Sequence, residues 1–238
     1  MSSVSINDVF EKLIEDENFK NSYFMGYLDR FVYSATDLET DLTSEKRKIA
    51  IESLLESFNY LMNNNSNKIS PIDIANVGDF INKENGISGF RKINVSAGKF
   101  AQWEVAPSSK IYIYLYNLVD NYHNIWNERE VYEKEALFHI NLMRIHPFED
   151  GNKRAAKIIM NCNLIKQNYP PVIITEDDTL KYYEFINNED VEGFAKFLKQ
   201  RSIQELNTLI SSYKVMYNIP ITDSILDMLG FEDGSRKA

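Results

Sequence analysis

The sequence predicts a mainly α-helical protein with a single β-hairpin. Apolar residues recur at helical spacing along most of the 238 residues. Only nine glycines and six prolines occur, which is too few for an all-β protein built from many tight turns. One segment, residues 86–106, departs from the helical pattern and combines glycines with two short β-rich runs. No internal repeat and no Gly/Ser-rich linker divides the chain, so we expect one helical domain.

The N-terminal part of the chain carries three helical patterns. In the first, Val9, Phe10 and Leu13 fall on one helical face. Ser70 followed by Pro71 is typical of a helix start, because serine caps the first turn and proline suits the first helical position. In chain order we predict one or two helices over 6–33, a helix from 43 to the Asn-rich tract at 63–67, and a helix that opens at 70–71.

The segment 86–106 is predicted to form the hairpin. Two β-rich runs, 90–95 and 100–105, are separated by Ala97 and Gly98. Helical patterning returns after Pro107, and the remaining predicted helices cover about 108–127, 130–145, 152–167, 177–187, 190–216 and 222–229. We therefore divide the chain into an N-terminal helical extension (1–65), a core (66–200) and C-terminal helices (201–238).

Composition and charge narrow the function classes. The formal net charge of −9 argues against a sequence-independent nucleic-acid binder, which needs a basic surface to displace counterions. Cys162 is the only cysteine, so a reducing compartment is the simpler expectation. The first residues carry Asp8 and Glu11 and do not resemble a signal peptide, and no apolar run reaches transmembrane length. We expect a cytoplasmic protein, or one delivered into another cell, that binds neither membrane nor nucleic acid.

A segment of nine residues, 146–154, concentrates chemically useful side chains. Pro147 ends a predicted helix at His146, and a new helix begins near Asn152. A helix N-terminus attracts anions, yet this helix carries Lys153, Arg154 and Lys157 in its first turns. Cations at that end oppose the helix dipole, and their spacing crowds like charges together. The arrangement is reasonable if a polyanion such as a phosphate chain binds in the loop.

Two further residues of the segment suit catalysis. Asp150 supplies a hard oxygen ligand of the kind that Mg²⁺ uses together with phosphate oxygens. His146 has an unperturbed pKa of about 6.5, which suits a general base at neutral pH. The alternative is a plain connection between helices, in which Asp150 caps, Gly151 turns and the basic side chains point into water. For any one residue that alternative is the better interpretation; for the whole set we favour the functional one.

The segment His146-Pro147-Phe148-Glu149-Asp150-Gly151-Asn152-Lys153-Arg154 resembles the signature of the Fic family, His-Pro-Phe-x-(Asp/Glu)-Gly-Asn-(Gly/Lys)-Arg-x-x-Arg. The similarity extends more weakly over residues 70–200, where Gly89-Phe90-Arg91 through Pro107 resembles the family's flap hairpin. The resemblance implies a Fic-type helical bundle with one β-hairpin flap. It also implies a protein adenylyltransferase, which transfers AMP from ATP, with Mg²⁺, to a Ser, Thr or Tyr hydroxyl of a target protein.

The resemblance assigns roles to residues of this sequence. His146 would be the general base and Asp150 the Mg²⁺ ligand. Arg154 would stabilise the pyrophosphate leaving group. The residues expected to bind ATP and its phosphates are Glu149, Gly151, Asn152, Lys153, Arg154 and Lys157. Tyr182 and Tyr183 lie where the family often places an aromatic residue near the adenine, although two tyrosines on an amphipathic helix fit a protein core equally well. The target would dock on the flap through Val95, Phe100 and Trp103 by strand addition.

The sequence departs from the family pattern at Lys157, where the signature has its final arginine. Lysine keeps the charge but lacks the planar fork for bidentate contacts. Residues 36–43 resemble, in part, an inhibitory helix in which a glutamate pairs with that arginine, so we predict that Glu39 pairs with Lys157 and restrains activity. In some relatives the same glutamate takes part in removing AMP.

Other functions stay open at this point. A Doc-like protein kinase transfers the γ-phosphate through a related motif that also has lysine after asparagine and lacks the final arginine. A weakly active binding protein, or an antitoxin-like partner, is an alternative from another class. Transfer of UMP or phosphocholine is a smaller alternative. The target protein is not readable from the sequence, and self-modification and a homodimer are both compatible with it.

Overall fold

The computed structural model of the protein describes residues 4–36, 44–64 and 68–220, together with Ser224 and Leu229. The helices within these residues, in chain order, are α1 (Ile6–Ile14), α2 (Glu17–Thr36), α3 (Ser44–Asn63), α4 (Pro71–Asn82), α5 (Ile111–Asp120), α6 (Val131–Ile145), α7 (Asn152–Lys166), α8 (Thr179–Asn187) and α9 (Val191–Met216). The prediction of a mainly helical protein is therefore confirmed for the part of the chain that the structure describes. No helix in those ranges combines the length and the apolar character needed to cross a membrane.

The predicted start of α4 is confirmed in detail. Ser70 is the N-cap, and its hydroxyl accepts a hydrogen bond from the backbone N–H of Asp73 at 3.2 Å. The carboxylate of Asp73 accepts in return from the N–H of Ser70 at 2.8 Å. Pro71 occupies the first turn, where its missing N–H costs nothing. This reciprocal cap fixes where α4 begins, and α4 carries the platform beneath the 146–154 segment.

Helices α6 and α7 lie at the centre of the molecule. α6 packs against α5, α7, α8 and α9, and α7 packs against α3, α4 and α6. α7 is buried along nearly its whole length, and its buried polar side chains, such as Lys157, Asn161 and Asn163, form hydrogen bonds within the core. Its small residues Ala155 and Ala156 allow close approach of neighbouring helices, and Ile158 and Ile159 fill the space beyond them.

A buried polar cluster ties the two central helices together. Glu135 of α6 accepts hydrogen bonds from the hydroxyl of Tyr122 and, at 3.2 Å, from the amide of Asn163 in α7. The amide of Gln167 also donates to Glu135, at 3.2 Å. Burial raises the pKa of the Glu135 carboxyl to about 7, although these hydrogen bonds act in the opposite direction. The cluster fixes the relative position of α6 and α7, and hence of the two ends of the 146–154 segment.

The predicted hairpin is not formed. The structure describes all of residues 86–106 and contains no β-strand there. A single turn closes at Gly98, whose carbonyl accepts from the N–H of Ala101 at 3.2 Å. Backbone groups of the two runs bond to other parts of the protein: the N–H of Arg91 in the first run donates to the carbonyl of Pro147, and the second run binds α8. The side chain of Asn187 in α8 binds the N–H of Gln102 at 2.7 Å and the carbonyl of Phe100 at 3.1 Å.

Element boundaries otherwise differ only locally from the expectation. The long helix predicted over 108–127 is divided into a 3₁₀ turn (Ser108–Lys110), α5 and a π-helical turn (Asn121–Ile125). α9 passes through residue 200 without a break, so the division that we placed there between core and C-terminal helices coincides with no element boundary. The last predicted helix, 222–229, lies almost entirely outside the described residues.

Candidate active site

The segment 146–154 connects the C-terminus of α6 to the N-terminus of α7. His146 ends α6 in the left-handed region, with φ 53° and ψ 60°. Its N–H donates to the carbonyl of Leu142 at 3.0 Å, which closes the last turn of the helix. A non-glycine residue in this region costs about 1–3 kcal/mol and persists only where its surroundings hold it. The strained backbone at His146 is therefore maintained by contacts with other parts of the protein.

Those contacts come from the segment 91–106. The carbonyl of Arg144 accepts from the N–H of Ala106 at 3.3 Å, and the carbonyl of Pro147 accepts from the N–H of Arg91 at 2.9 Å. The guanidinium of Arg91 donates to the carbonyl of His146 at 2.7 Å. The last carbonyls of a helix have no partner within the helix, and here they are satisfied by another segment. The segment 91–106 thus fixes the end of α6 and the backbone of His146.

Asn152 closes the loop from the other side. Its side chain accepts from the N–H of Phe148 at 2.9 Å and donates to the carbonyl of Phe148 at 2.8 Å. The amide of Asn82 in α4 donates to the carbonyl of Asp150 at 3.1 Å. Both asparagines are buried, so these hydrogen bonds are shielded from competing water. The signature asparagine is therefore occupied in shaping the loop, and the groups it leaves for a ligand are on the backbone.

Helix α4 forms a platform under the loop. The ring of Phe148 lies against Gly78 so closely that a Cβ at residue 78 would overlap it. Gly151 has φ 76°, and a Cβ there would overlap the side chain of Ile81. Gly78, Ile81 and Asn82 are spaced at i, i+3 and i+4, so all three lie on one face of α4. Glycine is required at residue 151 both by the backbone conformation and by this close approach.

The N-terminus of α7 is suited to an anion. Gly151 is the N-cap and offers no side chain to accept from the first-turn N–H groups, and the first turn contains no acidic residue. The guanidinium of Arg154 forms an ion pair with the carboxylate of Asp150 at 2.9 Å. The Asp150 side chain is 51% exposed and that of Arg154 only 9%. The carboxylate is therefore accessible to solvent, while the guanidinium beside it is buried.

These residues fit a magnesium–nucleotide ligand. The described residues contain no group of three or more His, Cys, Asp or Glu side chains that would hold a metal alone. Mg²⁺ does not need such a group, since it commonly uses one or two carboxylates together with phosphate oxygens. Asp150 is an accessible carboxylate beside a helix N-terminus with a glycine cap, which is a suitable setting for phosphates.

The imidazole of His146 is held in one orientation. Its Nδ1 lies 3.3 Å from the carbonyl of Met143. Because a carbonyl only accepts, this contact places the proton on Nδ1 and leaves the lone pair on Nε2. Burial lowers the pKa of His146 to about 4; the nearby charge of Arg91 acts in the same direction, and Asp150 acts against it. The ring is therefore neutral at pH 7 and able to accept a proton at Nε2.

Two predicted site residues lie elsewhere. Lys157 is 2% exposed, and its ammonium donates to the carbonyl of Ile174 at 3.2 Å in the core. Burial lowers the pKa of Lys157 to about 7. Tyr182 is also buried, with its hydroxyl 2.7 Å from Nε2 of His139. The structure thus corrects the expectation of Lys157 as a cation at the surface of the phosphate site, and for Tyr182 it favours the core interpretation over an adenine contact.

Tyr183 lies apart from Tyr182, in an aromatic cluster with residues of the predicted flap. Its ring centroid is 6.2 Å from that of Trp103 in a stacked arrangement and 5.4 Å from that of Phe100. Val95, the third predicted docking residue, is partly exposed at the other end of the segment. Glu39 lies outside the described residues. The structure therefore brings together Phe100, Trp103 and Tyr183, which the sequence placed in two separate roles.

Sequence reasoning missed the residues that support the loop. Nothing in the sequence indicated that the end of α4 has a special role. Its residues Gly78, Ile81 and Asn82 matter because α4 packs under a loop that lies some 70 residues later in the chain. Arg91 stood in a motif that the sequence did single out, Gly89-Phe90-Arg91, yet no local signal showed that its guanidinium is buried against backbone carbonyls.

Part of the chain is similar in sequence to known proteins. Residues 48–164 match the sequence model of the Fic/DOC family. A protein named "Protein adenylyltransferase Fic" from Nematostella vectensis is 37% identical over 83 residues, which are 34% of this chain and 19% of that protein. The protein of the same name from Drosophila melanogaster is 44% identical over 66 residues, which are 26% of this chain and 13% of that protein. The chain thus spans less than one fifth of the length of these relatives.

Solved structures share the fold. A Fic domain containing signaling protein from Bacteroides thetaiotaomicron superposes with a TM-score of 0.71 at 18% identity, over 92% of this chain and 99% of that one. Fic-1 from C. elegans superposes with a TM-score of 0.66 at 17% identity, over 87% of this chain and 73% of that one. Identities this low establish the architecture and leave the chemistry to be argued from the site.

Proposed function

We propose that the chain, whose residues 48–164 match the Fic/DOC family model, is a protein adenylyltransferase, which transfers AMP from ATP to a hydroxyl of a protein. One observation carries the proposal: a neutral histidine and a glycine-capped helix N-terminus lie on a single loop whose backbone is held on both sides. Phosphoryl-type transfer depends mainly on positioning and on stabilisation of charge, and this loop offers both.

The residues of the loop would divide the reaction between them. Nε2 of His146 takes the proton of the target hydroxyl while the hydroxyl oxygen forms a bond to the α-phosphorus of ATP. The bond from that phosphorus to the bridging oxygen breaks, and pyrophosphate leaves with the electron pair. Backbone N–H groups at Gly151 and Asn152 would hold phosphate oxygens, and Arg154 would face the leaving pyrophosphate. Glu149 and Lys153 flank these groups.

Asp150 would hold Mg²⁺, which when bound neutralises phosphate charge and orients the phosphate oxygens. In the structure the Asp150 carboxylate is paired with Arg154, 2.9 Å away. A bound metal would compete with the guanidinium for this carboxylate, which would leave Arg154 to bind the departing phosphates. The Asp150 carboxylate is half exposed, but the Arg154 side chain is only 9% exposed, so its guanidinium keeps a negative partner only if phosphate replaces the carboxylate when the metal binds.

The target protein would dock on the segment 91–106. Val95, Phe100 and Trp103 belong to it, and its anchored end lies beside the backbone of His146. Tyr183 stacks on Trp103, so an adenine contact by Tyr183 would use the part of its ring that Trp103 and Phe100 leave uncovered. The target's identity is not specified by these residues, and the chain itself is a candidate.

A Doc-like protein kinase is the second candidate, favoured by one feature of the chain. Lys157 replaces the final arginine of the signature and is buried, so the described loop offers one guanidinium, that of Arg154, to phosphates. Two residues favour AMP transfer over the kinase reaction. Doc-like proteins have alanine where this chain has Gly151, and the chain retains Pro147 of the Fic signature.

An autoinhibitory role for Glu39 stays a proposal based on the sequence. Lys157, its expected partner, has its ammonium in the core, so a contact between the two would require the lysine side chain to leave the carbonyl of Ile174. If Glu39 restrains the enzyme, Glu39→Gly modifies protein faster than the wild-type chain does. An unchanged rate would contradict this role.

Mass spectrometry tests the proposed function. The chain is incubated with Mg-ATP, alone and with a protein extract, and peptides are searched for the mass of one AMP on Ser, Thr or Tyr. We expect modified peptides with the wild-type chain and none with His146→Ala. His123→Ala is the matched control, because His123 is half-buried against the carbonyl of Ile69 and far from the loop in sequence. Absence of AMP from every sample, or its presence with His146→Ala, would refute the proposal.

A further inference from the structure

The guanidinium of Arg91 is surrounded by backbone carbonyls. Arg91 is 2% exposed although it lies in a segment without regular secondary structure. Its Nε donates to the carbonyl of His146 at 2.7 Å, and its Nη2 reaches the carbonyls of Ile145, at 3.4 Å, and Ala106. Its Nη1 donates to the carbonyl of Ile93 at 2.8 Å. In addition, its backbone N–H donates to Pro147. Arg91 therefore bonds both to the C-terminal end of α6 and to other residues of its own segment, 91–106.

These bonds have an electrostatic basis. The C-terminus of a helix carries partial negative charge on its last carbonyls, and a cation there is stabilising. Arg91 is also the only charged side chain among the hydrogen-bond partners of the His146 carbonyl in the described structure. Arginine suits this position because its fixed, planar set of donors reaches several acceptors at once, whereas lysine is a single point of charge.

The bonds also account for the strain at His146. The left-handed backbone at residue 146 points the imidazole back toward Met143, and it would relax if the carbonyls of residues 145–147 were released. The side chains of Asn152 and Asn82 hold the later part of the loop, through hydrogen bonds to residues 148 and 150. Two groups of residues thus hold two parts of the loop: Arg91 holds the base, and the asparagines hold the phosphate end.

We propose that Arg91 is a positioning residue, which locks the orientation of His146 and couples it to the segment where the target would dock. The proposal rests on the proposed function, since it assumes that His146 is the base. Arg91 touches no reacting atom; it acts through the backbone of residues 145–147. Movement of the segment 91–106 on target docking would be transmitted to the histidine through the same guanidinium, because Ile93 and Ala106 share it with His146.

The test compares Arg91→Lys and Arg91→Met with Arg144→Lys. Arg144 is the matched control: it lies in the last turn of α6, and its guanidinium binds Glu189 and the carbonyl of Ile186, away from the His146 backbone. For both Arg91 variants we expect kcat to fall about 100-fold, because a misplacement of about 1 Å costs that much. KM for ATP should be unchanged, since the phosphate end of the loop keeps its own support.

A second readout does not depend on turnover. The imidazole of His146 is titrated by NMR in the nucleotide-free chain, where its wild-type pKa is about 4. Arg91→Met also removes a charge that lowers this pKa, so the deciding variant is Arg91→Lys, which keeps the charge. In Arg91→Lys the ring leaves its buried position, and its pKa rises by about one unit or more toward the ordinary value. The charge of Asp150, which raises the pKa of His146, is present in all variants. Arg144→Lys should keep the wild-type kcat and the wild-type pKa of His146.

The outcomes separate this inference from the proposed function. If the wild-type chain transfers no AMP, the proposed function fails, and the NMR titration still decides whether Arg91 positions His146. Wild-type kcat and wild-type His146 pKa in folded Arg91 variants would overturn the inference. So would failure of Arg91→Lys to fold while Arg144→Lys folds, because Arg91 would then be needed for the fold as a whole and not for the orientation of one ring.

Discussion

The side chain of Asn152, a residue of the signature, is engaged in hydrogen bonds that shape the loop. Its amide closes a ring of hydrogen bonds with both backbone groups of Phe148, at 2.9 and 2.8 Å. A buried N–H or C=O that loses its partner costs about 1–3 kcal/mol. The conformation of Gly151, and hence the direction of the first N–H groups of α7, follows from this closure.

Substitution of Asn152 should therefore affect ATP binding as well as stability. Asn152→Ala leaves both backbone groups of Phe148 without their partner, and we expect the free energy of unfolding to fall by about 1–3 kcal/mol. Because the loop loses its shape, the affinity for a non-hydrolysable ATP analogue should fall on the order of tenfold or more, which corresponds to about 1.4 kcal/mol. Denaturant unfolding and titration calorimetry measure the two effects.

Asn161 provides the control for this prediction. It is a buried asparagine of the same helix, and its amide binds the carbonyls of Lys157 and Val172. Asn161→Ala should lower stability while nucleotide affinity stays at the wild-type value. Equal losses of affinity in the two variants would mean that the loop has no special dependence on Asn152.

At the scale of elements, α4 supports the loop through residues on one face. Gly78 admits the ring of Phe148, Ile81 packs under Gly151, and Asn82 binds the carbonyl of Asp150. Phe148 also lies 6.0 Å, centroid to centroid, from Phe90 in the segment that carries Arg91. The signature phenylalanine is thus packed between α4 and the segment 86–106, which explains why an apolar residue stands in a loop of polar ones.

Gly78→Ala tests this support. Alanine is the better helix former, but its Cβ would overlap the Phe148 ring, and overpacking of this kind costs about 1–3 kcal/mol. We expect lower thermal stability together with lower transfer activity, because Phe148 can move only by shifting the loop. Melting temperature and initial rate are the measurements.

Gly26→Ala is the matched substitution in α2, where the nearest atom to the new Cβ is Nη1 of Arg30 at 3.8 Å. It should stabilise the protein by about 0.5–1 kcal/mol through helix propensity and leave the rate unchanged. If Gly78→Ala behaves like Gly26→Ala, the described packing of Phe148 on α4 is wrong.

At the scale of the whole molecule, buried polar clusters hold the helices in register. Glu135 joins Tyr122, Asn163 and Gln167 at the centre. Glu205 of α9 joins Tyr23 and Arg30 of α2, with the Tyr23 hydroxyl 2.9 Å from the carboxylate. Burial raises the pKa of both carboxyls. The stability of the protein should therefore depend on pH through these groups.

For Glu135 the sign is definite. The pKa in the folded protein is about 7 and the ordinary value is 4.5, so the folded chain holds a proton that the unfolded chain releases. The contribution to stability is complete below pH 4.5 and is lost as the pH rises through 7. Relative to wild type, Glu135→Gln should gain stability between pH 5 and 8, by about 3 kcal/mol at most. Urea unfolding at a series of pH values measures the difference, with Glu133→Gln of the same helix as control, since the Glu133 side chain is partly exposed and pairs with Arg129 near the surface. A difference that does not grow with pH, or that grows equally in the control, would contradict this assignment.

The sequence predicted the helical elements and the position of the reactive segment, because both depend on local patterns. The apolar spacing located α6 and α7, the Ser70-Pro71 pair located the start of α4, and the residues 146–154 identified the loop. The prediction from sequence failed where groups bond to residues that are distant in the chain. The runs at 90–95 and 100–105 look like strands, but the N–H of Arg91 bonds to Pro147 in the loop after α6, and the N–H of Gln102 bonds to Asn187 in α8. Lys157 has the charge of a phosphate ligand, but helix α7 is buried on all sides and turns it into the core.

The most direct test of the central claim follows the label of ATP. The chain is incubated with Mg²⁺, a protein extract and ATP labelled at either the α- or the γ-phosphate, and protein-bound label is measured for wild type, His146→Ala and His123→Ala. AMP transfer predicts that label from the α-phosphate stays on protein, that label from the γ-phosphate does not, and that only His146→Ala abolishes the signal. Retention of γ-label without α-label would show a kinase, and either that result or the absence of both labels would contradict the proposal of AMP transfer.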